Sequence, residues 1–448
     1  MFKVWLSRKP SFAWSMRRSC SGDASVAGFY GGRSVLVTGG TGFVGKVLIE
    51  KLLYHCKQID KIYLLIRDVN GISSGERLSK MLTLPVFQRL REQHPQQLNK
   101  LVPVHGDITL PNLGLNSREA DELINEVSVV FHAAASVKFK DTLHNLLKHN
   151  TEGTKHVVDF GKKMNKLKVL VHVSSAYSQC DKKHIEEKIY PLPIEIEKVY
   201  EVKLVYFITD GRANTYTLTK ALAEDIVVKA TADHGLPAII VRPAIMYQDG
   251  LPGWVDSWFG ATSLITTAGK GINHMVLGHK HNILDMIPVD FVTNTMIVGA
   301  AKYSGCVDLA DVLCTSSTNP ITFKKLTRIL KDSSIIKATI DTEKPINSKF
   351  FVIVNDFHSS YRKVQYYVLL LRYIRSLQLM EAQRDVLNVF TSNSWIMSTS
   401  KTEHLGLSLN KDERKKFPLD PKEIDWEKYM MLYLKGISEY MLYKRSYK

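Results

Sequence analysis

The chain has 448 residues, a formal net charge of +16 and a pI near 9.4. Hydrophobic residues make up 45% and charged residues 23%, the balance of a folded protein whose core needs no disulfide or metal staple. The positive surplus suits anionic partners: phosphorylated cofactors, coenzyme A, acidic membranes or nucleic acid.

The five cysteines (Cys20, Cys56, Cys180, Cys306, Cys314) are scattered, odd in number and without a CxxC pair. They read as reduced thiols in an intracellular protein with no zinc site. No apolar run reaches the roughly eighteen residues of a membrane-spanning helix.

In chain order, residues 1–26 form a basic leader. Lys3, Arg8, Lys9, Arg17 and Arg18 fall in its first 22 residues without one acid, the composition of a transit peptide or of a disordered basic tail. Ser34–Thr38 (SVLVT) is a short β-branched run stopped by glycines, hence a buried strand. Gly45–Tyr54 then has helical spacing. Further strands are expected at Lys61–Arg67, Leu101–His105, Ser128–His132, Leu167–Ser174 and Ala238–Arg242, with helices between them. Unalternated apolar strands separated by helices predict a doubly wound parallel sheet of the Rossmann type. This domain is placed at residues 27–325. From 326 to 448 glycine becomes scarce, and helical spacing predicts a mostly helical second domain. Within it, Val364–Met380 is an apolar stretch interrupted by Arg372 and Arg375, read either as an amphipathic helix packed on the protein, which is preferred, or as a helix lying in a membrane surface.

The first strand runs into Thr38-Gly39-Gly40-Thr41-Gly42-Phe43-Val44-Gly45 and then a helix. Glycines there let the backbone approach a pyrophosphate, which the free N–H groups of the helix start can bind. Thr38, Gly39, Thr41, Gly42, Phe43, Val44 and Gly45 are the candidate cofactor contacts. An arginine at the end of the second strand favours NADP, an acid NAD; the strand ends Ile66-Arg67-Asp68, and Arg67 is assigned the discriminating place, hence NADPH. Asp107, at the end of the third strand, is placed either for the adenine amino group or as a helix cap.

Tyr216-Thr217-Leu218-Thr219-Lys220 puts a tyrosine and a lysine on one face of a helix. A nearby ammonium is expected to lower the phenol's pKa and make proton transfer feasible, and the lysine can also hold the nicotinamide ribose. The end of the fifth strand offers Ser174 and Ser175 as a hydroxyl partner, with Ser175 preferred. Asn150 either anchors a water that relays protons to Lys220 or is an ordinary helix cap.

TGxxGxxG, a serine after the fifth strand and YxxxK together resemble the extended short-chain dehydrogenase/reductases. Within that branch the chain is similar over nearly its whole length to the eukaryotic fatty acyl-CoA reductases. The matching stretches include FHAAASVKF, NTEGT, VHVSSAYSQC, NTYTLTKALAE, IIVRPAI, PGWVDSWFGATSLITTAGKG, IPVDFVTN and the tail FPLDPKEIDWEKYMMLYLKGISEYML. The PGWVDSW block and the tail are the specific ones.

The resemblance implies reduction of a long-chain fatty acyl-CoA by NADPH to the fatty alcohol, with release of CoA and an enzyme-held aldehyde between two hydride transfers. It implies Tyr216, Ser175, Lys220 and Asn150 as the catalytic group, and Ala134 and Pro243 as further cofactor contacts. It also implies peripheral membrane association at the endoplasmic reticulum or peroxisome, with mitochondrial targeting open through the basic leader; no metal or nucleic acid is implied. The chain departs from the family in Asp68-Val69-Asn70 after Arg67, in the short YQDG segment ending at Gly250, and over residues 326–385. Rival readings are another extended reductase, of hydroxysteroid or sugar-nucleotide type, and a non-catalytic lipid-binding relative.

Overall fold

The computed structural model describes residues 25–139, 141–192, 198–199, 214–247, 253–257, 262–263, 265–266, 279–305, 310–316, 318–332, 389–390 and 392–442. Most of the basic leader, the QDG of YQDG and the arginine-interrupted stretch 364–380 lie outside the described residues.

Seven parallel strands form the central sheet: β1 (Ser34–Thr38), β2 (Ile62–Ile66), β3 (Leu101–His105), β4 (Val127–His132), β5 (Val169–Val173), β6 (Ala238–Pro243) and β7 (Asp311–Thr315). Their spatial order is β7-β6-β5-β4-β1-β2-β3. β7 was not anticipated; it pairs with β6 from Asp311 beside Ile239 to Thr315 beside Pro243.

Alternate residues of each strand enter opposite cores, which is why the strands are apolar throughout rather than alternating. Val35, Val37, Val129, Phe131, Val169 and Val171 pack on one face against α1 (Phe43–His55). Leu36, Val130, Leu170 and Ile240 pack on the other, against helices that include α3 (Gly153–Gly161) and α4 (Thr215–His234). Between α1 and α3 in the chain lies α2 (Ser74–Leu82), started by a capping box of Ser73 and Glu76. α5 (Val289–Lys302) joins α1 on the first face.

The C-terminal residues share these cores. Trp395, Met397, Leu405 and Phe417 belong to the same cluster as α1 and α5. The helix α6 (Ser400–Leu407) is tied to the sheet edge by buried Glu187, whose carboxylate accepts from the Cys314 N–H (2.8 Å) and from the Thr402 hydroxyl (2.8 Å). A third core joins α7 (Trp426–Gly436) to Val255, Ile265, Leu284, Met286 and Ile321. The expected boundary at 325/326 falls inside the helix Phe323–Asp332, whose Phe323 and Leu326 also enter that third core.

Inside the sheet, His132 on β4 and His172 on β5 are register partners with rings 5.3 Å apart. His132 is held by Thr38 Oγ1 (2.7 Å) and Thr154 Oγ1 (3.0 Å), whereas neither nitrogen of His172 meets a protein hydrogen-bond partner. Burial, reinforced by the Lys220 charge, pushes His132 down to about 3 and lowers His172 as well. Both are therefore neutral when folded, while an unfolded imidazole titrates near 6.5. Their stability contribution is complete above that value and is lost as pH falls below it, by about 1.4 kcal/mol per pH unit for each ring. Denaturation midpoints measured from pH 7 to pH ~4.5 should fall steeply in the wild type and less steeply in His172→Leu; equal slopes would contradict this account.

Candidate active site

β1 reverses into α1 through Gly39 and Gly45. Gly39 has φ +74, and a Cβ there would lie 2.6 Å from the Ala134 nitrogen. A Cβ on Gly45 would lie 2.3 Å from the Gly39 carbonyl oxygen. Only glycine permits this closure, and it sets the start of α1 directly over the end of β1. Gly42 opens α1 with no side-chain cap and no acid follows in the first turn, so the helix-start N–H groups are left for an anion. Thr41, Phe43 and Val44 are partly exposed around this turn.

Thr38 corrects an expectation. It is fully buried, and its hydroxyl is shared between His132 and the Ala134 N–H (3.4 Å), so it braces the turn instead of facing a ligand. Ala134 forms the wall behind Gly39, and Pro243 is buried as the last residue of β6.

At the β2 end, Asp68 is committed locally. Its carboxylate accepts from the Ser74 N–H (2.8 Å) and pairs with His105 Nδ1 (3.1 Å). Arg67 is half-exposed, with Nη1 3.5 Å from Asp107 Oδ2. Asp107 caps its own turn through the Thr109 N–H (2.9 Å). Burial raises its carboxyl, but the Thr109 bonds and the Arg67 guanidinium outweigh that and hold it below the ordinary value. Arg77 was missed from sequence. It projects from α2 to donate to the Arg67 carbonyl and reaches Thr41 Oγ1 at 3.5 Å, so its guanidinium borders the glycine turn. The Ser73/Glu76 capping box, legible in SSGE, is the local signal that starts α2 where Arg77 faces the turn.

The second half of the site is α4. Asn214 caps it in a reciprocal box with Thr217, which places Tyr216 in the first turn and Lys220 one turn on. Ser175 Oγ, which accepts from the Tyr177 N–H (3.2 Å), lies near enough to the Tyr216 phenol to lower its pKa. Lys220 Nζ donates to the Val173 carbonyl (2.8 Å). Ser174 instead turns away to Glu224 (2.5 Å). Phe139 packs edge-on against the Tyr216 ring at 5.1 Å, and Phe390 of the C-terminal region packs on Phe139 at 5.9 Å.

The electrostatics differ from expectation. Lys220 does not pull the phenol down. Burial pushes Tyr216 up to about 12, with the neighbouring Ser175 hydroxyl only partly offsetting it. The same burial lowers Lys220 to about 8, against the raising effect of Glu224. The phenol is thus held protonated, as a hydrogen-bond donor.

Asn150 is not an end cap. It lies within a π-helical turn (Leu147–Glu152) that leads into α3. Its amide accepts from the Ser136 N–H (2.7 Å) and donates to the Ser136 carbonyl and to Thr219 Oγ1 (both 3.1 Å). It braces the 136 loop against the residue before Lys220.

The PGWVDSW block meets α1. Lys46, in the first turn where the helix dipole disfavours a cation, pairs with Asp256 and lies 5.6 Å from the Trp254 ring. Trp254 also packs on Phe43 at 6.1 Å. Behind it, Gly253 abuts Gly436 of α7: a Cβ on Gly436 would fall 1.5 Å from the Gly253 oxygen.

An uncapped helix start and a phenol–ammonium helix face one crevice, where the strand order reverses between β1 and β4. These are the two halves of a dinucleotide-dependent oxidoreductase, and the fold is that of the extended short-chain dehydrogenase/reductases. Comparisons with known proteins agree. The terminal reductase domain of the myxalamid biosynthetic pathway superposes with TM-score 0.64 at 18% identity, covering 92% of each chain. A nonribosomal peptide synthetase reductase domain from Mycobacterium tuberculosis does so with TM-score 0.60 at 19% identity, covering 91% of each. The NAD-binding family model described as male sterility protein matches residues 37–296, and a second model of the same description matches residues 354–444. Fatty acyl-CoA reductase 1 of Xenopus laevis is 33% identical over 93% of this chain and 86% of its own length. Fatty acyl-CoA reductase 2 of Homo sapiens is 30% identical over 94% and 86%. The chain belongs to the fatty acyl-CoA reductase family.

The Gly253–Gly436 contact is tested by Gly436→Ala. The added methyl should cost about 3 kcal/mol by overpacking, read as a lower denaturation midpoint; an unchanged midpoint would show that the contact is not that close.

Proposed function

We propose that the protein reduces a long-chain fatty acyl-CoA with NADPH to the fatty alcohol, releasing CoA and holding the aldehyde between two reductions. The observation that carries this is the convergence of Ser175, Tyr216 and Lys220 at the carboxyl end of β5, where Lys220 Nζ donates to the Val173 carbonyl, in a member of this family.

The glycine turn fits a dinucleotide: Gly39 and Gly45 leave no room for a side chain, and the α1 start is uncapped. Phe43 and Val44 would hold the pyrophosphate by backbone N–H groups, the Gly42 N–H being turned to the Gly39 carbonyl, and Lys220 would hold the nicotinamide ribose. When bound, NADPH supplies the hydride that adds to the thioester carbonyl carbon. Tyr216 and Ser175 donate hydrogen bonds to the oxygen as negative charge develops there, and Tyr216 then gives up its proton. Collapse of the hemithioacetal returns its hydroxyl proton to the Tyr216 phenolate and breaks the C–S bond, and CoA leaves as the thiolate, which takes a proton from solvent. The same Tyr216–Ser175 pair serves the aldehyde in the second reduction. Phe139 and Phe390 cover the phenol with apolar surface suited to an acyl chain.

NADPH preference is supported by Arg67 and Arg77 at the ribose end, with Asp68 committed to Ser74 and His105. The +16 charge supports contacts with the CoA phosphates and, peripherally, with an anionic membrane surface. Two variants test the proposal. Tyr216→Phe should lose at least about 100-fold in turnover with acyl-CoA while its NADPH affinity stays within about two-fold. Arg77→Ala should weaken NADPH about ten-fold and leave NADH unchanged, as loss of one charge-assisted contact implies. Full turnover in the first, or equal weakening of both cofactors in the second, would contradict the corresponding assignment.

A further inference from the structure

One charged group beside the site has no part in the chemistry above. Glu224 lies one turn beyond Lys220 on α4 and is almost wholly buried. Its carboxylate is fully used. Oε1 accepts from Ser174 Oγ (2.5 Å), Ser178 Oγ (2.9 Å) and Arg242 Nε (3.0 Å). Oε2 accepts from Gln179 Nε2 (3.2 Å) and Arg242 Nη2 (2.8 Å). Arg242, at the end of β6, is equally buried, and its Nη1 donates to the carbonyls of Glu186 (3.1 Å) and Lys188 (3.0 Å).

The placement matters more than the pairing. Ser174 and Ser178 flank Ser175 in the turn Ser174–Gln179, and Glu224 holds both from the helix that carries Tyr216 and Lys220. Isolated ion pairs are weak reasons for stability when buried, because desolvation offsets their attraction. A pair that also receives three side-chain bonds from one turn fixes geometry instead.

We propose that Glu224, backed by Arg242, is a positioning residue that clamps the Ser175 turn to the Tyr216–Lys220 helix and keeps a compensating negative charge one turn from Lys220. This rests on the reductase reading for its catalytic consequence, and on the dinucleotide site alone for its electrostatic one.

Among the described residues, the charged and titratable groups around Lys220 are few. Tyr216 and Glu224 share its helix, His132 approaches from β4 and His172 from β5, and Arg242 stands behind Glu224 on β6. Burial keeps both histidines neutral and the phenol protonated, which leaves Glu224 as the group that raises Lys220, against the lowering by burial. With the carboxylate present Lys220 titrates at about 8. Removing the charge lowers it further, so an activity or affinity that needs the ammonium fails at lower pH.

The test is Glu224→Gln, which keeps shape and loses charge, beside the double variant Ser174→Ala/Ser178→Ala, which keeps charge and loses the clamp. Each is compared with wild type for melting temperature, for NADPH affinity against pH by cofactor fluorescence, and for turnover against pH. Glu224→Gln should move the alkaline limb of both profiles down by about half a pH unit or more. The serine pair should lower kcat at least about ten-fold, with KM and NADPH affinity within about two-fold and the limb unmoved, as misplacement of one reacting group implies. A folded Glu224→Gln with wild-type limbs would overturn the electrostatic role, and an undiminished kcat in the serine variant would overturn the clamp. If Glu224→Gln does not fold, Glu224→Gln/Arg242→Met removes the stranded guanidinium and is read the same way. A wild type that binds NADPH but reduces no acyl thioester would refute the reductase reading, and the binding profiles would still decide the electrostatic role.

Discussion

The close approach of Gly45 to the Gly39 carbonyl is the constraint from which the rest of the site follows. A single methyl at position 45 would fall 2.3 Å from that oxygen, so α1 can begin where it does only because nothing is there. That closure aims the uncapped N–H groups of α1 into the crevice between β1 and β4. It also brings Lys46 to Asp256 and the Trp254 ring, so residues 253–257 are held against the start of α1. The Thr38 hydroxyl, buried against His132 and Ala134, stiffens the same turn from below.

The C-terminal region is built into this arrangement. Gly253 and Gly436 meet backbone to backbone, Glu187 ties the start of α6 to β7, and Phe390 packs on Phe139 beside the reacting phenol. Each contact spans the chain from the nucleotide-binding half to the tail. The apolar packing around Tyr216 therefore draws on both parts of the sequence.

Much of this was legible from sequence for a physical reason. Five of the first six strands are buried along their whole length, the edge strand β3 being the exception, so they read as continuous apolar runs, and the glycine turn has no bland use between a strand and a helix. Ser175 is preferred to Ser174 in the sequence because the second residue should project past the sheet edge; in the structure Ser174 turns to Glu224 and Ser175 lies by Tyr216. What escaped was long-range or contrary to local pattern. β7 (DVLCT) is short and partly polar. Glu224 and Arg242 are charges inside apolar stretches, which local reading assigns to surface faces. The Gly253–Gly436 contact joins residues far apart in the chain. The Tyr216 pKa was misjudged because spacing on a helix shows that Lys220 is near, not that its ammonium points at Val173.

The central claim is tested most directly by incubating the purified protein with NADPH or NADH and a series of acyl-CoA chain lengths, and identifying products by mass spectrometry. The account predicts fatty alcohol and free CoA from long-chain substrates with NADPH, and little with NADH. Cofactor that binds but is not oxidised at any chain length would contradict it.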